Sequence, residues 1–116
     1  MTDETVTPQQ VAADIARELR ADVSRWTRGW YARDARGRGC QAQDAQAVCW
    51  CLRGAIERRV GDENPLTDPI FKAFDKALGY DHGDDDSFEL QFVPWNDDPQ
   101  RTAADIIALC DKVAAS

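Results

Sequence analysis

A chain of 116 residues with a formal charge of −7 has the size of one ordinary domain and can bury one core. Residues 1–60 hold ten Arg against eight acids and residues 61–116 four bases against thirteen, so the net acidity excludes a general duplex nucleic-acid binder, which must neutralise phosphates. No apolar run reaches the ~20 residues that span a bilayer, and the polar start from Met1 to Gln10 is not an export signal; both point to a cytoplasmic protein without membrane contact.

In chain order, residues 1–6 are expected to be disordered. Thr7-Pro8-Gln9-Gln10 starts a helix, with Thr7 as cap, Pro8 in the first turn and Gln10 closing a capping box. Val11, Ile15, Leu19, Val23 and Trp26 recur every three or four residues, which predicts one buried face on a helix running to about Arg25. Asp34-Ala35-Arg36-Gly37 is a hairpin turn ending in a left-handed glycine. It joins short strands at Trp30-Tyr31-Ala32-Arg33 and Arg38-Gly39-Cys40.

Asp44 is read as the cap of a second helix with Val48, Leu52, Ala55 and Ile56 inward, ending near Val60-Gly61. Asp68-Pro69 opens a third, with Ile70, Phe71, Phe74 and Leu78 inward and Gly79 as its stop. After the acidic run Asp81 to Asp86, Phe88, Leu90 and Phe92 alternate with Glu89, Gln91 and Val93, which predicts a strand that Pro94 ends. Trp95-Asn96-Asp97-Asp98-Pro99 is turn chemistry. Thr102 and Asp105 start a last helix burying Ile106, Leu109, Cys110 and Val113. The sum is an α+β fold: one domain over 1–116 in which a small antiparallel sheet, a hairpin plus one later strand, is covered by about four helices. An all-helical bundle is the alternative.

Three stretches carry a family likeness: Arg28-Gly29-Trp30 through the turn Ala32-Arg33-Asp34-Ala35-Arg36-Gly37-Arg38; Ala47 to Ile56; and Trp95-Asn96-Asp97 followed by Arg101-Thr102 and Leu109-Cys110-Asp111. From Trp26 onward the chain resembles a family of small uncharacterised proteins, a domain of unknown function, found in bacteria and their phages. The resemblance implies a setting in phage and mobile-element genomes and no mechanism. The Asp81 to Asp86 loop departs from it.

The residues themselves declare no catalytic group. The one histidine, His82, is placed by the sequence in a solvated Asp-rich loop, and no phosphate-binding glycine motif occurs. No metal or cofactor is expected: Asp81 to Asp86 lacks calcium-loop spacing, and Cys49 and Cys51, if helical, point to opposite sides. Cys40, Cys49, Cys51 and Cys110 read as reduced thiols, with Cys49 buried beside Val48 and Leu52. The run from Arg25 to Arg38 interleaves guanidinium groups with rings, the pairing that binds single strands, nucleotides or other anions, although Trp26 and Trp30 are also read as core anchors.

The candidate ligand-binding residues are Trp30, Arg33, Asp34 and Arg36 from the first segment and Trp95, Asn96, Asp97 and Arg101 from the second. The leading expectation is a binding or inhibitor module of phage or mobile-element type, acting on a protein partner or a small anionic ligand. Two alternatives stand beside it: an enzyme on a phosphorylated or nucleotide substrate in which Asp34, Asp97 and Arg101 meet in a cleft, and a structural subunit of an oligomer. The opposite charges of the halves also place the Arg28 to Arg38 segment within reach of Asp84, Asp85 and Asp86.

Overall fold

The computed structural model describes residues 7–61, 67–83 and 89–116. Helix α1 spans Pro8–Ala21, and the Thr7 side chain accepts from the Gln10 N–H at 3.1 Å. Val11, Ile15 and Leu19 are buried as the spacing predicts, but the helix stops short of Arg25. Asp22 turns extended and its carboxylate caps a separate 3-10 turn, Val23–Arg25, which leaves Val23 exposed.

The hairpin forms where expected, with β1 at Ala32–Asp34 and β2 at Gly39–Cys40. Its register pairs Ala32 with Cys40 and Arg33 with Gly39, and Gly37 takes the left-handed conformation at φ 80°. Next the chain departs from expectation. Residues Ala47–Trp50, read as the start of a helix, form β3, which pairs antiparallel with β1 to give the order β2-β1-β3. The Cys51 N–H extends this edge by donating to Tyr31 O at 3.1 Å.

Helix α2 therefore begins only at Leu52 and runs to Val60, with the Cys51 thiol accepting from Gly54 N at the cap. Its start lies so close to β1 that a Cβ on Gly54 would fall 1.9 Å from Tyr31 O. Glycine here makes room for the backbone rather than freedom for the helix.

Helix α3, Thr67–Ala77, is close to its predicted extent. The predicted later strand is overturned: Phe92–Asp97 is a short helix, α4, and Glu89-Leu90 has no strand pairing, while Phe88 lies outside the described residues. Asp75, fully buried on α3, decides this. Its carboxylate accepts from Gln91 N at 2.9 Å and Phe92 N at 2.8 Å, which meets the unpaired donors at the start of α4. Pro94 then falls in the first helical turn, where no hydrogen bond is lost. The sheet thus has its third strand from residues 47–50, while residues 89–93 form none.

Helix α5, Ala103–Ala114, has both halves of the Thr102 and Asp105 capping box and lies against α1. The main core joins the inner faces of α1, α2, α3 and α5 to Phe92, whose ring sits 5.6 Å from Phe71 and 6.0 Å from Phe74. Burying each such side chain stabilises the fold by roughly 1.5–3 kcal/mol. A second, small cluster of Ala32, Ala42 and Trp50 lines one face of the sheet. No helix among the described residues is long and apolar enough to cross a membrane.

Candidate functional site

The eight candidate residues fall into two places. Asn96, at the end of α4, is 1% exposed, and its amide is fully engaged within the protein. Its Oδ1 accepts from Trp26 Nε1 at 2.8 Å and from Leu52 N at 3.1 Å; its Nδ2 donates to Thr27 O at 3.2 Å and to Asp97 Oδ1 at 3.0 Å. An amide has two donors and two acceptor positions, so nothing remains for a ligand. Asp97 also accepts from Gly29 N at 2.9 Å. Arg101 donates from Nε to Trp95 O at 2.8 Å and lies over the Trp95 ring at 4.2 Å, while its backbone oxygen accepts from Arg28. These residues tie the 26–29 segment, α2 and α4 together.

Arg33 is engaged in the same way. Its guanidinium donates to Thr27 Oγ1 at 3.1 Å, Gly37 O at 3.0 Å and Arg28 O at 3.0 Å, and so braces the hairpin. Asp34 shapes the turn, accepting from Arg36 N at 2.9 Å and Arg38 N at 3.0 Å. The Arg38 N–H, helped by that of Arg36, holds its carboxyl below the usual range. Asp34, Asp97 and Arg101 are thus each bound to separate backbone groups. No hydrogen bond or ion pair joins the three to one another among the described residues.

What stays outward is Trp30, Arg36 and two further residues of the Arg25 to Arg38 run that were not among the eight candidates, Tyr31 and Arg38. Trp30 is 57% exposed rather than a core anchor, and Tyr31 41%. A Cβ on Gly39 would come within 2.4 Å of the Trp30 ring, so one indole face rests on the β2 backbone. The ring borders a groove of about 530 Å³ lined by Gly29, Trp30, Tyr31, Gly39, Cys40 and Gln41. Arg36 and Arg38 are exposed at the hairpin turn, and among the described residues neither side chain forms a hydrogen bond or an ion pair. The proposed partners of this segment, Asp84, Asp85 and Asp86, lie outside the described residues.

Two further groups were misplaced by sequence reasoning. His82 is not a solvated loop residue: its Nε2 is 2.7 Å from Asp75 Oδ2, and its side chain is 15% exposed. The signal for Asp75 was a carboxylate four residues after Phe71, on the apolar stripe of α3. Cys49 is half-buried on β3 beside an exposed Val48, and of this pair it is Cys51 that is buried. Burial pushes the Cys51 thiol up to about 11 and the Cys110 thiol to about 12. No group of three or more His, Cys, Asp or Glu is placed to hold a metal among the described residues.

No curated protein and no solved structure matches the chain. A family model does, over residues 3–116, and nearly the whole chain therefore belongs to DUF6197, a family of unknown function.

Proposed function

We propose that the protein is a binding or inhibitor module, acting without chemistry of its own, and that the β1–β2 hairpin is its working surface. The carrying observation is Trp30, 57% exposed and seated on Gly39, on a hairpin whose exposed Arg36 and Arg38 side chains form no hydrogen bond or ion pair with the described residues. A ring held flat offers a stacking face, and guanidinium groups supply charge for an anion. A small ligand with a planar group and a phosphate or carboxylate fits that chemistry.

A protein partner bearing an acidic segment is the second reading, favoured by the exposed Trp30, Tyr31 and arginines, the residue types that dominate protein interfaces. An inhibitor of phage or mobile-element type that occupies a basic nucleic-acid site on its target is a further form, in keeping with a charge of −7.

The test is tryptophan fluorescence during titration with adenosine monophosphate and a short single-stranded oligonucleotide at low salt. Quenching that weakens with added salt, and that is lost in Trp30→Ala and in the double variant Arg36→Ser with Arg38→Ser, is the expected result. Equal binding by parent and variants, or none by the parent, would sink the small-ligand reading.

A further inference from the structure

A second cavity, of about 420 Å³, lies between the starts of α2, α3 and α4. Arg53, in the first turn of α2, reaches its edge with the guanidinium carbon 5.2 Å from the Tyr31 ring centre and 5.4 Å from that of Phe71. Its Nε donates to Glu57 Oε2 at 3.0 Å. Two rings and a carboxylate therefore fix the plane of the guanidinium, while its two terminal nitrogens carry no hydrogen bond to a described residue.

Two acids, Asp68 and Glu89, line the same cavity. Both are exposed, and among the described residues neither carboxylate forms an ion pair, with Arg53 or with anything else. Phe71, Leu90, Val93 and Pro94 supply the apolar wall. A forked cation held by Glu57 through Nε, with its terminal nitrogens still without a hydrogen bond, two acids without an ion pair among the described residues and an apolar wall thus line one space.

We infer that this cavity binds a free α-amino acid with an apolar side chain. The fork of Arg53 matches a carboxylate by two parallel N–H donors; Asp68 and Glu89 match an ammonium group; the wall takes the side chain. A ligand with only one charge would leave one side of the cavity without its counterpart. The volume is at the lower end of the roughly 300–1,000 Å³ of small-molecule sites, which suits a single amino acid rather than a peptide. This site is independent of the hairpin surface, and either can fail alone.

The experiment is a titration of the full chain, followed by amide NMR shifts, with leucine, N-acetyl-leucine and leucinamide. Leucine should shift the Leu90 and Val93 resonances saturably at millimolar concentration. Removing either charge, as in the two derivatives, should weaken binding roughly tenfold or more. Arg53→Lys keeps the charge and loses the fork, and should weaken leucine while leaving the folded spectrum in place. Asp68→Asn with Glu89→Gln, both at exposed positions, provides a folded variant that should do the same. No saturable shift with leucine, valine, isoleucine or phenylalanine, or equal affinity for the blocked derivatives, would overturn the assignment.

Discussion

The hairpin and the Asn96 cluster are built from the same residue types, tryptophan, arginine and a short acid or amide, yet the fold treats them in opposite ways. In the cluster every polar atom of the Asn96 side chain meets a protein partner, and Arg101 is laid on Trp95 and bonded to its backbone oxygen. At the hairpin Arg33 and Asp34 are engaged in the turn, while Trp30, Arg36 and Arg38 are left to solvent. A residue that looks suited to recognition is available for it only where the fold has not already satisfied it. The first region is a structural knot, and the second is a surface.

The largest effect should come from breaking the knot. Asn96→Ala strands the buried Leu52 N–H and the part-buried Trp26 indole N–H, and unsatisfied buried groups cost about 1–3 kcal/mol each. A loss of roughly 3 kcal/mol or more in urea unfolding is expected; a change under ~1 kcal/mol would mean that the amide is replaceable there.

Gly54→Ala should be next. The added methyl must displace Tyr31 O, which joins α2 to the hairpin strand, and overpacking of this kind costs about 1–3 kcal/mol. Unchanged denaturation midpoints would show that β1 and α2 can separate without penalty.

The thiols sharpen the contrast in a milder way. Cys51, beside Leu52 at the knot, and Cys110 in the core hold their protons up to about 11 and about 12. Because burial raises these values above those of the unfolded chain, their contribution is intact below about pH 9. It is lost as the pH rises through the folded values. At neutral pH, alkylation of the native protein followed by mass spectrometry should mark Cys49 before Cys51 and Cys110, and rapid labelling of Cys51 would contradict its burial.

Smallest in stability is the hairpin surface itself. Arg36→Ser with Arg38→Ser should shift unfolding by no more than about 0.5 kcal/mol, as exposed and unpaired positions do. A larger loss in thermal denaturation would place these arginines in the structure rather than at its working face.

Helices were legible where local chemistry and burial agree. The Thr7 and Thr102 caps, the Val11, Ile15 and Leu19 stripe and the Asp34 to Gly37 turn all act within a few residues. Segments 47–50 and 88–93 were misread because their states depend on distant partners. Ala47–Trp50 is extended because β1 offers it a ladder, and Phe92–Asp97 is helical because Asp75 caps it from 17 residues away. Of the candidate ligand residues, Trp30 and Arg36 remain outward; Tyr31 and Arg38 shared the signal of the Arg25 to Arg38 run, whereas Arg53 had no local signal to distinguish it from an ordinary helix-surface residue.

The sequence alone determined the Thr7 and Thr102 caps, the first buried stripe, the hairpin turn and an α+β architecture, because each rests on backbone preference and periodicity over neighbouring residues. Only the tertiary structure decided which polar groups are engaged. Asn96, Arg33 and Asp75 find their partners across turns and helices, and a side chain's hydrogen-bonding capacity is a fixed number that the fold fills or leaves open. Where it leaves it open, at Arg36, Arg38 and the outer nitrogens of Arg53, the molecule has something left with which to bind.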